Sequence, residues 1–545
     1  MLFDRCPPDF APEALAWWAP EYTALPEGIE TCPIPSLALL GDWTINLWAT
    51  LGVLDVFDGV LVDRAGADAL RRAGFSHVVP FRQWTFDHRL HRVLPGVPRD
   101  IDIFFAGSFN PEIYGERDAW LARVAALGDR HRVVITSGVY GEAYGRLLNR
   151  ARIVFNRTLR GELNMRAYEA AATGALLFIE RENREVSDVF TDRRDCVLYG
   201  QDDLQALLEH YLAHEPERAR VAAAGQARVQ DQSARHRIEA LLDEARGVGR
   251  SARTRFTELR PAERTYRLAL KAVLSADPTG VRLALRLLTA SRGAVGPRHD
   301  ARPTADAIDG AQATILATVT PTLADAAERA RVLGQAEVAA RSAVEARPDD
   351  PIHQLRAGEI ALLVGDRGRA AAHLERSASA AAGWQGEPTL PFPFNLDRFR
   401  IAWDCAAQDQ PRFGATAARL VKGRALRRLA EIHTSDGNGD AALEALVRSI
   451  DACPHLDGNT HGLGALLEAN GHTDLAVGSY RAAIDGAPLD FDLRARLVRL
   501  LLSAGRAAEA HDVARASLGI LRSMPPLHAR IPEFEALLGA PAAAS

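Results

Sequence analysis

Gly437, Gly471 and Gly505 stand at i, i+34 and i+68, and an alanine follows each at the fifth position on, Ala442, Ala476 or Ala510. Pro454 and Pro488 stand at i+17 from the first two glycines. A fixed period constrains a chain more tightly than composition does, because every repeat must offer the same faces to the same neighbours. Small residues let paired helices approach closely and proline ends the second helix, so the expected unit is a helix pair. Gly334, Ala339 and Pro351 repeat these offsets, and Gly365 with Ala370 adds a weaker copy. The stretch 384–422, which contains GEPTLPFPFN, interrupts the array.

A period of about 34 residues, with small residues at the helix crossing and proline at the unit end, is the tetratricopeptide signature, so an α-solenoid is expected over 251–545. The chain ahead of it reads differently. From about Pro33 to Arg246 short apolar runs alternate with helical segments, the pattern of βαβ units and parallel sheets. Strands are expected at 36–42, 58–63, 76–81, 101–107, 131–137, 152–157, 175–180 and 196–200, with a helix over PEALAWWAP before them. The segment 82–100, RQWTFDHRLHRVLPGVPRD, breaks the alternation and reads as a crossing between two α/β domains. The fold class expected is therefore α/β followed by all-α. Three strands before the crossing make the first domain, 1–95, look abbreviated; the second runs over 96–250.

At 545 residues, three or four folding units are expected. The balance of 65 basic and 70 acidic residues gives no field that favours nucleic acid or an anionic membrane surface. Five widely spaced cysteines without a C-x-x-C pair indicate neither a disulfide framework nor a zinc knuckle. No uncharged apolar run approaches the ~18 residues of a membrane span, and MLFDRCPPDF lacks the apolar run of a signal peptide. A cytoplasmic location is expected. Lys271 and Lys422 are the only lysines, which excludes a P-loop or Schiff-base lysine from the chain ahead of Lys271. Phosphate bound there must be held by arginine, backbone amides or a helix N-terminus.

The run Gly161 to Glu180, GELNMRAYEAAATGALLFIE, is where such chemistry is best placed. Asn164 is positioned to cap a helix, Gly174 to stop it, and a buried strand follows. Glu162, Arg166, Glu169 and Thr173 follow a spacing of i, i+4, i+7, i+11, which puts the helical part of the set on one charged face. An ordinary solvated face with an Arg166–Glu169 pair worth ~0.2–0.5 kcal/mol has the same pattern. Gly107 and Ser108 end the strand IDIFFAG, where a turn without a side chain admits backbone amides to a phosphate, or simply joins strand to helix.

Residues from Asp102 to about Leu242 resemble the C-terminal domain of GT-B glycosyltransferases of the spore-maturation (CgeB-like) branch. The resemblance rests on FFAGSFN, EAYGRLLNRARIVFN, NMRAYEAAATGALLF and SDVFTDRRDCVLYGQDDLQALL. WWAPEYTALPEGIE through LALLGDW and FDGVLVDRAG is similar to the N-terminal half of the same group. The resemblance implies a pair of Rossmann-type domains and a metal-independent, hexosyltransferase-type enzyme with no cofactor beyond its nucleotide-sugar donor. It implies that Glu169 binds the ribose, that Asn164, Arg166 and the first-turn amides contact the diphosphate, and that Gly107, Ser108, Thr173 and Gly174 complete the donor site. The chain departs from the retaining pattern of two glutamates eight positions apart, since Gly161 stands eight before Glu169, and the usual Arg/Lys couple lacks its lysine.

An acceptor-activating base is expected from the first domain: Asp42 in LLGDW, or Asp63 at the end of GVLVD. Each also fits a helix cap. Asp87, His88 and His91 have metal-like spacing, with His77 the nearest further ligand, but in a connecting segment, and the D-x-D of RDIDIFF precedes a strand; no metal is expected. The whole reads as a glycosyltransferase whose repeats recruit a protein or peptide acceptor. A non-catalytic repeat scaffold on a relic fold and a nucleotide-sugar epimerase are the rival readings.

Overall fold

The computed structural model describes residues 7, 9–26, 28–43, 50–109, 111–158, 161–248, 253–273, 278–295, 303–384, 413–453, 456 and 459–539. Pro454 and most of the interrupting stretch 384–422 lie outside them. The first strand, β1 (Leu15–Trp18), stands where a helix over PEALAWWAP is expected. Helix formers dominate that stretch, but Leu15 to Trp18 pair in parallel register with Ser36 to Leu39 of β2 (Ser36–Leu40), and tertiary pairing overrides local propensity. Then come β3 (Gly59–Val62), α1 (Arg64–Arg72) and β4 (Val78–Pro80), closing a parallel sheet of order β1-β2-β3-β4.

A second parallel sheet follows. It is built from β5 (Ile101–Ala106), α2 (Pro111–Ala125), β6 (Val133–Thr136), α3 (Gly141–Arg150), β7 (Ala151–Phe155), α4 (Met165–Ala172), β8 (Leu176–Glu180), α5 (Val186–Val189) and β9 (Val197–Tyr199). Its order is β6-β5-β7-β8-β9. The strands are near-continuous apolar runs because helices cover both faces. Helices α6 (Leu204–Ala213), α7 (Glu215–Arg228) and α8 (Ala234–Gly247) complete this region.

Beyond residue 250 the chain is helical: α9 (Arg253–Glu258), α10 (Pro261–Val273), α11 (Pro278–Ala294), α12 (Ala305–Val319), α13 (Ala326–Ala346), α14 (Pro351–Val364), α15 (Arg367–Ala380), α16 (Phe413–Ser435), α17 (Gly439–Ala452), α18 (Asn459–Ala469), α19 (Thr473–Gly486), α20 (Phe491–Ser503), α21 (Ala507–Arg522) and α22 (Ile531–Gly539). The repeat glycines stand just past the first helix of each pair, with φ of 73° at Gly437, 78° at Gly471 and 73° at Gly505. Each is needed for its left-handed turn. The close approach falls to Ala442, Ala476 and Ala510, all fully buried in the second helices. Gly365, with φ 89°, and buried Ala370 form the same turn between α14 and α15. Gly334 does not, since it lies inside the long helix α13 and its matching offsets carry no turn.

The chain forms two compact units, Met1–Phe81 with Glu244–Leu466, and Arg82–Asp243 with Leu467–Ser545. In the first, the small sheet takes part of its cover from Phe256, Leu259 and Leu268 of the helical region. Lys271 Nζ donates to the Thr23 carbonyl at 2.7 Å. In the second, the end of α21 covers the exposed edge of the large sheet: Ile135 N on edge strand β6 donates to the Ser523 carbonyl at 2.8 Å, and Ser523 Oγ to the Ala125 carbonyl at 3.0 Å. An edge strand left open is a template for misassociation, and here helical residues close it. No helix among the described residues is long and apolar enough to cross a membrane.

Candidate functional site

The order β6-β5-β7-β8-β9 reverses between β5 and β7: the chain leaves β5 toward one edge and returns through β7 to build toward the other. In open parallel sheets, such a reversal leaves a crevice at the carboxyl ends of the two strands, and ligands bind there. Gly107 follows β5 and Asn156 follows β7. Arg166, in the first turn of α4, reaches both. Its Nε donates to the Ala106 carbonyl at 2.9 Å and its Nη1 to Asn156 Oδ1 at 2.7 Å, and its guanidinium lies 4.4 Å from the centre of the Phe105 ring. A Cβ on Gly107 would stand 2.7 Å from Arg166 Nη2 and 2.9 Å from the Phe105 ring. Glycine there makes room for the arginine.

Asn164 occupies the cap position of α4 with extended backbone, yet its side chain makes no capping bond. It exchanges hydrogen bonds with Asn156 at 3.0 and 3.2 Å. The first-turn amides are thus left without a side-chain cap at the positive end of the helix dipole. The loop before α4 is held from the residues after β8: Arg184 N donates to the Gly161 carbonyl at 2.8 Å, Asn183 Nδ2 to the Glu162 carbonyl at 2.8 Å, and Leu163 N to Glu185 Oε2 at 3.0 Å. Glu162 therefore lies in this loop, ahead of the helix, and does not share its face.

The charged face is not solvated. Arg166 turns to the strand ends, and Glu169 turns inward, 6 % exposed. Tyr144 Oη donates to Glu169 Oε2 at 2.9 Å, and His91 Nε2 stands 3.7 Å from Oε1. Burial pushes the Glu169 carboxyl up to about 7, against the lowering effect of the Tyr144 hydrogen bond and the Arg166 charge. Burial also raises Tyr144 well above the usual tyrosine range and lowers His91. Thr173 and Gly174 belong to the other end of α4, ~12 Å along an eight-residue helix. Thr173 Oγ1 donates back to the Glu169 and Ala170 carbonyls at 3.1 and 2.9 Å, and Gly174 takes φ 72° to close the helix. The structure does not bring these two to the Arg166 end. Ser108 is exposed, one residue beyond Gly107.

Sequence reasoning passed over Asn156 and Arg157 because both read as the end of a strand. They are the first residues past β7, at the reversal. The Arg157 guanidinium lies 4.8 Å from the centre of the Trp120 ring, and buried Arg117 lies 5.6 Å from that of Phe105. Arg157 also stands 3.5 Å from Glu182 Oε2.

In the other unit, Asp42 accepts a short hydrogen bond from Tyr22 Oη. Asp63 caps α1, accepting from Gly66 N at 2.7 Å, and from Trp43 Nε1 at 2.6 Å, so of its two expected roles it fills the capping one. Glu21, which no motif marked, accepts from Gly41 N and Asp42 N at 2.8 Å each, and burial pushes it up to about 7. Asp87 pairs with Arg89 at 2.7 Å, and His77 meets the Leu54 carbonyl in the first unit. The D-x-D aspartates are held by arginines at the strand start, Asp100 by Arg132 and Arg150 at 2.6 Å each and Asp102 by Arg152 at 3.0 Å. Among the described residues no three His, Cys, Asp or Glu side chains converge as metal ligands.

Residues 103–243 match the family model described as "Glycosyl transferase-like". No curated protein matches the chain. Among solved structures the chain is similar to TarM at 9 % identity, covering 43 % of this chain and 54 % of that one, with a TM-score of 0.33. A mutant of S. aureus TarM in complex with Fondaparinux, alpha-GlcNAc-glycerol and UDP is similar at 10 % identity over 39 % and 51 % of the two chains, TM-score 0.31. The APC/C hetero-tetramer Cut9–Hcn1 is similar at 11 % identity over 63 % of each, TM-score 0.20. The chain spans about half the length of the TarM chains it matches. On the family model, residues 103–243 are a glycosyltransferase-like domain.

Proposed function

We propose that the chain is a GT-B glycosyltransferase, of the CgeB-like branch, that transfers a hexosyl group from a nucleotide-sugar donor without a metal ion. The observation that carries this reading is Arg166. Inside the domain that matches the family model, it stands at the strand reversal beside the uncapped first turn of α4. The glycosidic bond from the anomeric carbon to the diphosphate oxygen breaks as the acceptor oxygen bonds to that carbon. Arg166 and the α4 amides neutralise the charge that develops on the departing diphosphate. Asn164 positions Asn156, and through it Arg166. Glu169 is the proposed ribose ligand, with Tyr144 orienting its carboxylate. Asp42 is the proposed base that takes the acceptor proton, and the helical repeat region, 251–545, is the proposed recruitment surface for a protein or peptide acceptor.

Incubation of the full chain with nucleotide sugars and peptide acceptors tests this. Free nucleoside diphosphate together with sugar-bearing acceptor is the expected outcome. An isomerised sugar nucleotide as sole product would mean epimerisation, and no turnover with any donor would leave the scaffold reading.

A further inference from the structure

Glu180 ends β8, the strand beside β7, and is 2 % exposed. The chemistry proposed above does not use it. A buried carboxyl costs free energy unless donors surround it, and the donors here are neutral. Oε1 accepts a short bond from the Thr158 hydroxyl, and bonds from Thr158 N at 3.3 Å and Asn183 Nδ2 at 3.2 Å. Oε2 shares Thr158 N, also at 3.3 Å. Burial holds the Glu180 carboxyl above its ordinary range, against the lowering effect of the Thr158 hydrogen bond and the Arg157 charge.

The two partners of Glu180 stand on different loops. Thr158 is the third residue past β7 and Asn183 the third past β8, so one side chain ties the exits of neighbouring strands together. Each partner reaches further. Thr158 Oγ1 accepts from Gly161 N at 3.2 Å, and Asn183 Nδ2 donates to the Glu162 carbonyl at 2.8 Å. Asn183 Oδ1 accepts from Glu185 N, and Glu185 Oε2 from Leu163 N, at 3.0 Å each. Leu159 and Arg160 lie outside the described residues, but Gly161, Glu162 and Leu163 all trace back to one carboxyl. These three run directly into Asn164 and α4. A capping side chain normally fixes a helix start, yet that of Asn164 meets Asn156 instead. The aim of the first turn of α4, and with it the free amides and Arg166, therefore depends on the loop ahead of it.

We propose that Glu180 is a positioning residue for the donor diphosphate, which it serves by fixing the loop 158–163 that sets the start of α4. It does not touch the donor. It acts through Thr158 and Asn183 on Gly161 to Leu163, and through them on the amides and the guanidinium that receive the diphosphate. The role rests on the donor reading given above for Arg166 and α4. Its hydrogen bonds, and not its charge, carry it, since every donor is neutral and Oε1 alone meets all of them.

Calorimetric titration of the full chain with a panel of nucleoside diphosphates, each variant held well below its own melting temperature, tests this. Glu180→Ala should bind the preferred diphosphate about tenfold more weakly than wild type. Glu180→Gln, whose carbonyl oxygen can take the place of Oε1, should bind within threefold of wild type. Thr158→Val cuts the Gly161 route alone and should weaken binding at least threefold, which keeps the test available should Glu180→Ala not fold. Wild-type affinity in Glu180→Ala or in Thr158→Val, or a Glu180→Gln as weak as Glu180→Ala, would overturn the role while leaving the donor reading intact. Failure of every diphosphate to bind the wild type would overturn the donor reading and this role with it.

Discussion

The carboxyl ends of β1, β2 and β3 and those of β5 and β7 carry different chemistry. After β1, β2 and β3 stand Glu21, Asp42 and Asp63, and each carboxylate is engaged by donors of its own unit: the Gly41 and Asp42 amides, the Tyr22 hydroxyl, and the Gly66 amide with the Trp43 indole. After β5 and β7 the polar groups converge on a cation, with Ala106 and Asn156 both accepting from Arg166. The strand orders differ in the same sense. The first sheet runs β1-β2-β3-β4 without a reversal among its described strands, and the second reverses between β5 and β7. Similar alternations of apolar runs and helices thus yield one edge whose acids stitch loops together and one edge that presents a guanidinium. The reversal, and not the strand composition, marks which edge collects binding groups.

Four variants break or sharpen this contrast. Arg166→Ala is expected to have the largest effect, a loss of about 100-fold in donor turnover, near 3 kcal/mol of transition-state stabilisation. Turnover within a factor of three of wild type would erase the distinction between the edges. Second, Glu169 holds an extra proton in the folded state between its ordinary 4.5 and about 7, so its burial costs stability as pH rises through that window. Thermal melts from pH 4.5 to 7.5 should therefore fall less steeply for Glu169→Gln than for wild type, by up to about 3 kcal/mol across the window. An identical slope would place Glu169 in solvent. Third, Glu21→Leu strands the Gly41 and Asp42 amides and should lower unfolding stability by about 2 kcal/mol in urea titration, with donor binding unchanged. Smallest, Asp63→Ala removes a helix cap and should cost about 1 kcal/mol in the same assay.

Much of the sheet architecture was legible because buried parallel strands are written as continuous apolar runs such as IDIFFA and ALLFIE. LAWW reads as helix because it sits among helix formers between prolines, and only its pairing with SLALL, which lies beyond the next turn, decides it as a strand. The repeat spacing marked Gly437, Gly471 and Gly505 as recurring small residues at helix crossings, whereas they form the turns, and offsets alone could not separate Gly365, which turns, from Gly334, which does not. At the site, the motif gave Asn164 as the cap position of a helix with Arg166 in its first turn, and α4 starts there; that Arg166 reaches the ends of β5 and β7 was not legible. The inward turn of Glu169 was not legible. Periodicity puts it on one face with Arg166, and its burial comes from Tyr144 and His91, both distant in sequence, whose contact depends on the fold. Thr173 shares that face by spacing, yet it serves the far end of the helix. Spacing fixes a face but not the depth at which that face is buried.

Calorimetric titration of the wild-type chain and of Arg166→Ala with a panel of nucleoside diphosphates tests the central claim most directly. The account predicts that at least one diphosphate binds the wild type and that the variant binds it at least 30-fold more weakly, about 2 kcal/mol. Failure of every diphosphate to bind, or equal affinity in the two proteins, would contradict it.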